Sequence, residues 1–547
     1  MSNKNSSITV IQLTRIGDIL QTIWAVKDIK TSNPGLKLNF IARDRFASGL
    51  MFLLDKYFDN IYLIKEDEFQ GEDLKEGLDN LLLKVKSWET SVIVNLSFSK
   101  TSGFLTRLIE ADFKLGLCAN EVGGMDVNGS WSEYVYSTVM RGPLNAFSLV
   151  DIFRFILGSK EKASIPERNL GGSEVIVHPF ASQERKMWSS SKWSEIIFKI
   201  LKKNESVSVV VVGGKSDTDR AKQILSNPLL EKYSNRINIE CGSLSFEELY
   251  NRLGKAFLFC GHDSMVGHLA SLAGTQTLTL SLGSVRPIES SPYGINNYVL
   301  SPKTSCFPCF PTDACDSYKC HNDLSYQLVS ECLQQLIDTS SIDFSEIKQN
   351  ISPMHLSTAD LFQSSFSSNG IYQLDRVSNE NQSTQDFYKV FYKIVWLFML
   401  EDIEQIAGYP SLNKNLEESI NSVKPNIRQL FELAEFGKKY SKFILEELSK
   451  DKPDIEYIKS CGDKIAEIDE MQVLVGKACP ILNPIIDFYN LKKSKMNGGN
   501  LVELCSSSYE IYQSIASFAD IFHELIEKTL NENKIKIRTT SMKEAKE

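Results

Sequence analysis

Val207-Ser208-Val209-Val210-Val211-Val212 reads VSVVVV, a near-continuous run of β-branched apolar residues. A strand carries such a run when it lies in a parallel sheet with both faces covered. Short β-rich runs at Val175–His178, Phe257–Cys260 and Thr277–Leu282 flank it, each followed by a turn or helix signal. An earlier series holds Ile8–Leu13, Leu36–Ala42 and Ser91–Leu96. Two successive β/α series predict two doubly wound, Rossmann-like domains. The boundary falls between Gly158 and Gly172, where the helical stretch Leu149–Leu157 gives way to a polar, Gly-containing segment.

From Thr339 to about Asp386 the composition turns to Ser, Asn and Gln, which reads as a linker. Beyond it Leu430, Leu433, Gly437, Tyr440, Ile444 and Leu448 recur at helical spacing, as do Ile511, Ile515, Phe518, Phe522 and Leu525. Pro410, Pro425, Pro453, Pro480 and Gly498–Gly499 punctuate these helices. The expected organisation is a first Rossmann-like domain over 1–165, a second over 166–340, a linker over 341–385 and an all-helical bundle over 386–547. Both β/α series close before the linker, so a chain ending near Ser340 is expected to keep its core.

The 547 residues are 42% apolar and 24% charged, enough for several cores and too apolar for a disordered chain. A net charge of -9 argues against a dedicated nucleic-acid binder. Met1–Ser7 is polar and gives no secretory signal. Phe387–Leu400, the most apolar stretch, contains Lys389 and Lys393, is too short for a bilayer, and reads as a buried amphipathic helix. Eleven cysteines without a signal point to a reducing compartment, so a soluble cytoplasmic protein is expected.

Several segments carry candidate chemistry. Leu13-Thr14-Arg15-Ile16-Gly17-Asp18 follows the first strand and places Asp18 at the carboxyl edge of a sheet, where doubly wound folds bind ligands. An aspartate there also serves as an ordinary helix cap. His178-Pro179-Phe180-Ala181-Ser182-Gln183-Glu184-Arg185-Lys186-Met187-Trp188 offers Ser182, Arg185 and Lys186 on a loop suited to a phosphate, or to plain solvation. Cys260-Gly261-His262-Asp263-Ser264-Met265-Val266-Gly267-His268 ends one strand and opens a helix whose first N–H groups favour an anion. Gly213-Gly214-Lys215-Ser216 lacks the upstream glycine of a P-loop, since Val209 stands there. Cys306, Cys309, Cys315 and Cys320 lie close enough in sequence for one structural zinc or iron, with free thiols or a family-specific loop as the plainer alternatives. His321, next to them, reads as a surface residue.

Taken in order, these segments resemble the bacterial heptosyltransferase-like glycosyltransferases of family 9. The resemblance rests on LTRIGD, on HPFASQERKMW, on HDSMVGHLASLAGT, and on Gly283-Ser284-Val285-Arg286-Pro287 followed by Pro292-Tyr293-Gly294. It covers residues 8–338 and leaves the helical third outside. It implies a GT-B fold, two Rossmann-like domains facing a cleft, with the acceptor on the first and a nucleotide-sugar, typically ADP-heptose, on the second. It implies inverting transfer with no catalytic metal. On that resemblance Asp18 is the general base, Lys186 and Ser182 hold the diphosphate, Asp263, Ser264 and His268 form the donor loop, and Asp217 contacts the nucleotide. Phe180 and Met265 replace family glycines and are expected to crowd loops that approach phosphate. Val285 and Arg286 replace the family's Thr-Asp.

The resulting expectation is transfer of a heptose or related sugar from an ADP-sugar to a lipopolysaccharide-core acceptor, with a peripheral position at the inner face of the cytoplasmic membrane as one option. A protein acceptor of adhesin or flagellin type, docked by the helical domain, is the alternative. A catalytically silent GT-B binding module and a sugar-nucleotide epimerase are the readings from other classes.

Overall fold

The computed structural model describes residues 7–69, 71–159, 162–168, 171–310, 312–378, 383–403, 414–496 and 498–544. Its contacts divide the chain into two units: Met1–Met125 with Phe147–Asn379, and Asp126–Ala146 with Glu380–Glu547.

In the first unit β1 (Ser7–Gln12) leads into α1 (Ile16–Ser32), followed by β2 (Lys37–Arg43), β3 (Asn60–Ile64), β4 (Val92–Asn95) and β5 (Phe113–Ala119). They lie in the order β3-β2-β1-β4-β5, all parallel. The order reverses direction between β1 and β4. The carboxyl end of β1 is therefore a topological switch point, and the turn into α1 leaves from it. Helix α2 (Leu149–Ile156) follows later in the chain, with its N-cap Ser148 accepting from the Val150 N–H.

A second sheet is built from β6 (Glu174–His178), β7 (Ser208–Gly213), β8 (Ile237–Cys241), β9 (Leu258–His262), β10 (Gln276–Leu280) and β11 (Tyr298–Pro302). They run parallel in the order β8-β7-β6-β9-β10-β11. Its switch point lies between β6 and β9, where α3 (Met265–Leu272) begins after His262. Val209, Val210 and Val211 are fully buried, as a strand covered on both faces requires.

The Ser-rich segment expected as a linker over 341–385 is part of this domain. Short helices at Phe344–Asn350 and Pro353–Leu356 precede β12 (Ala359–Phe366) and β13 (Tyr372–Arg376). Strand β12 pairs antiparallel with β11, and β13 pairs antiparallel with β12. Ile342, Phe344, Ile347, Ile351, Leu356, Ala359 and Leu361 join the apolar cluster under the sheet. The many serines misled the reading because some of them are buried and satisfied: the Ser364 hydroxyl accepts the Asn297 N–H at 2.9 Å. A core ending near Ser340 would lack these groups.

The second unit holds α4 (Thr384–Glu401), α5 (Lys414–Leu448), α6 (Ile455–Ala478), α7 (Asn483–Ser494) and α8 (Leu501–Glu544). On α4, Phe387, Phe391, Tyr392, Val395 and Trp396 are fully buried. Among the described residues no helix is long and apolar enough to cross a membrane. Pro425 does not break the helix: α5 runs through it. Its seam of Ile420, Val423, Ile427 and Leu430 is buried on both sides of the proline, and that burial outweighs the cost of about 3 kcal/mol for a proline inside a helix. Pro410 lies outside the described residues. The seam on α8 is centred on Tyr512, Ile515, Phe518 and Phe522, with Tyr512 seated on Gly437 of α5, where no side chain would fit.

The segment Asp126–Ala146, expected inside the first domain, belongs to this helical unit. Tyr134 packs edge-on against Trp131 and against Trp396, with ring centroids 5.3 and 5.4 Å apart. The nearly buried Glu133 carboxylate is paired by Lys492 at 3.3 Å and by Lys495. Aromatic burial and a paired buried charge are what draw the segment to the helices.

Candidate functional site

The turn after β1 is held by its own polar groups. Leu13 N–H donates to the Ser97 hydroxyl at 2.6 Å, and Arg15 N–H donates to Asp18 Oδ2 at 3.1 Å. Asp18 thus caps the first turn of α1 with one oxygen, and Oδ1 has no hydrogen-bond partner among the described residues. Gly17 beside it faces the second sheet's domain. A Cβ at Gly17 would lie 3.5 Å from Cδ2 of His268, so the two switch points meet here.

His268 sits on α3, almost fully buried, with Nε2 3.9 Å from Asp263 Oδ1. Its Nδ1 has no hydrogen-bond partner among the described residues. Burial lowers its pKa, and the Lys186 charge adds to that, against the opposing carboxylates of Asp263 and Asp18. Asp18, Lys186, Asp263 and His268 are therefore brought into one electrostatic neighbourhood from three segments of the chain. That downward shift favours the uncharged ring over an ion pair with either carboxylate. Asp263 Oδ2 accepts from the Ser290 hydroxyl at 2.6 Å.

Ser264 is the N-cap of α3, but its hydroxyl turns to His178 Nδ1 at 3.0 Å rather than capping the helix. The N–H groups of Met265 and Val266 open the helix without intrahelical acceptors, which suits an anion. Burial lowers His178 to about 4. Burial also lowers His262 to about 3, with the His178 ring as the next contributor. His262 Nε2 accepts from the Trp188 N–H at 3.0 Å and the Trp193 indole at 3.3 Å, so it must stay neutral to hold the loop.

Lys186 ends the 3-10 turn Glu184–Lys186 and is half-buried, while Ser182 on the same loop is exposed. Phe180 does not crowd this loop. Its ring is buried in the core beneath the sheet, against Gly213, where a Cβ would come within 2.7 Å of it. Met265 is half-buried at the start of α3. Asp217 is not brought to His268. Its Oδ2 accepts the Gly214 N–H at 2.8 Å and caps the turn after β7.

The thiols are free, with Cys306 exposed, Cys315 half-buried and Cys309 and Cys320 buried. Among the described residues no group of three or more His, Cys, Asp or Glu side chains is arranged to hold a metal ion. Burial raises the pKa of Cys309 and Cys320, and neighbouring thiols raise it further. His321, expected at the surface, is 8% exposed.

Sequence reasoning also missed a buried network joining the two Rossmann-like domains. Tyr293 OH donates to Asp151 Oδ1 at 2.6 Å, Arg154 lies 3.1 Å from the same oxygen, and Asp151 Oδ2 accepts the Tyr372 N–H at 2.8 Å. The Tyr293 ring meets Trp24 of α1 edge-on at 5.3 Å. The Pro-Tyr-Gly sequence was a signal for Tyr293; nothing local marked Asp151.

Two Rossmann-like domains whose switch points meet at one site, with an all-helical C-terminal region beside them in the chain, match a GT-B architecture. Residues 158–319 match the model of glycosyltransferase family 9 (heptosyltransferase). No curated protein matches the chain. Among solved structures, a family 9 glycosyl transferase from Veillonella parvula is 14% identical, covering 54% of this chain and 85% of its own, with a TM-score of 0.42. The E. coli ADP-heptose lipopolysaccharide heptosyltransferase II is 14% identical over 61% of this chain and 99% of its own, with a TM-score of 0.45. The iron-containing dodecameric glycosyltransferase TibC from E. coli is 11% identical over 62% and 77%, with a TM-score of 0.37.

Proposed function

We propose that the chain is an inverting glycosyltransferase that moves a heptose, or a related sugar, from an ADP-sugar to an acceptor hydroxyl. The observation that carries the reading is the convergence of Asp18, Lys186, Asp263 and His268 where the two switch points meet. In this reading the acceptor oxygen attacks the anomeric carbon of the donor. The bond from that carbon to the diphosphate oxygen breaks, and ADP leaves with the electron pair. Asp18 Oδ1 takes the proton of the attacking hydroxyl as general base. Lys186, Ser182 and the opening N–H groups of α3 offset the charge that grows on the diphosphate. Asp263, Ser264 and His268 bind the donor's sugar and phosphate side. Asp217, already capping its own turn, is the weakest of the donor contacts. Zinc or iron on the thiol loop would be structural, with no part in transfer.

A lipopolysaccharide-core acceptor is the first choice, which would bring the protein to the inner face of the cytoplasmic membrane. A protein acceptor is the second, favoured by exposed Met471 and Leu474 on α6, which the helical unit leaves available to a polypeptide. Incubation with ADP-heptose and mass analysis of core oligosaccharides and candidate proteins tests the reading. A mass gain of one heptose on either acceptor, with ADP released, is expected. Binding of ADP-heptose without turnover on any acceptor would leave a silent binding module.

A further inference from the structure

We propose that His321, at the far end of the thiol loop, is a positioning residue for Lys186. The inference rests on the reading of Lys186 as a diphosphate ligand and adds what aims it. His321 Nε2 lies 2.7 Å from the carbonyl oxygen of Arg185, 136 residues away in sequence. A carbonyl only accepts, so Nε2 carries the proton and donates. That bond fixes the peptide plane between Arg185 and Lys186, and so the direction in which the lysine side chain leaves the backbone.

The contact is one of several that clamp the same turn. The carbonyl of His321 itself accepts from the Trp188 indole at 2.9 Å and from Lys192 Nζ at 2.6 Å. The Arg185 guanidinium donates to the carbonyls of Phe310 at 3.4 Å and Asp313 at 3.0 Å, both between the second and third cysteines. Gly283, which has a positive φ, packs so close to the Arg185 carbonyl that a Cβ there would lie 2.4 Å from its oxygen. The Cys309 N–H donates to the Gly283 carbonyl at 3.0 Å. The thiol loop thus holds the residues on both sides of Lys186. A lysine has a flexible four-carbon stem, so fixing its Cα is how a loop limits where its ammonium points.

The test is a double-mutant cycle on ADP affinity, measured by calorimetry on the full chain. His321→Phe fills the same volume and removes the donor, and it is expected to weaken ADP binding roughly tenfold. His321→Gln, which restores an N–H donor, is expected to recover most of that loss. In a Lys186→Ala background His321→Phe is expected to cost no more than about twofold, because the residue acts through the lysine. If His321→Phe does not fold, His321→Leu takes its place in the cycle. Equal tenfold losses with and without Lys186, or no loss in the single variant, would overturn the positioning role and leave Lys186 as a ligand. Unchanged ADP affinity in Lys186→Ala alone would refute the ligand reading itself, and the positioning role with it.

Discussion

Ending the chain at Ser340 removes β12 and β13 and strips one side of the second domain. Tyr298 and Leu300 of β11 are buried at about 1% and 0% exposure, and the strand would become an open edge. Ile347, Leu361 and Tyr372, each fully buried in the removed part, contribute about 1.5–3 kcal/mol apiece as apolar burial. Those three side chains alone approach the roughly 5–15 kcal/mol net stability of an ordinary domain. Asp151 would also lose the Tyr372 N–H, and Arg154 the Gly370 carbonyl, leaving a buried ion pair short of two partners. The comparison chain ends at Ser378, so that both truncations lose the same helices and differ only in the hairpin and its two short helices. Both truncations strip Asp126–Ala146 of its helical partners alike, and of the two the chain ending at Ser378 is expected to keep the more cooperative melt. The chain ending at Ser340 is expected to aggregate, or to retain far-ultraviolet circular dichroism without a cooperative transition, because an unpaired flat edge recruits other edges. Two truncations with the same yield and the same melting temperature would refute the argument and return the segment to the status of a linker.

Asp18→Asn is expected to keep ADP-sugar affinity while lowering turnover by roughly a hundredfold or more, and near wild-type turnover would remove Asp18 as the base. Stability of the first unit should fall in mild acid: His178 and His262 are lowered by burial from 6.5 to about 4 and about 3, so the unfolded chain binds more protons than the folded one below about pH 6.5. The loss grows as pH falls and reaches about 2 kcal/mol per histidine at pH 5 relative to pH 7.5; urea midpoints in His262→Gln should show about half the combined loss, and an unchanged acid limb would contradict it. The arrangement of the four thiols predicts untagged protein with Cys306, Cys309, Cys315 and Cys320 all titratable and no stoichiometric zinc or iron. About one equivalent of metal, lost together with melting temperature in Cys306→Ser/Cys309→Ser, would show that the loop closes on a metal after all.

What was legible in the sequence follows from where each signal is stored. VSVVVV could be read because both faces of its strand are apolar, and burial on both faces is a property of the strand itself. Strands β3 and β8 were not anticipated: β3 is half-buried throughout, and β8 has two exposed and three half-buried residues, so neither shows a clean apolar pattern. The hairpin was missed for another reason. In β12, Ala359, Leu361 and Ser364 are buried, and a buried serine satisfied by a backbone N–H across the sheet looks the same in composition as a serine in solvent. The site divides along the same line. Asp18, Lys186 and His268 could be singled out from the order of their segments, since strand–turn–helix junctions announce sheet edges. That they converge depends on two switch points facing each other through Gly17, which only the packing of the two Rossmann-like domains decides. His321 is the extreme case: its contact is with a carbonyl, the one group every residue carries, so no residue type at position 185 could have signalled it. Side chains that act on the backbone of another segment are therefore the part of a site least visible in sequence, and here they are what fixes the lysine on which the proposed chemistry depends.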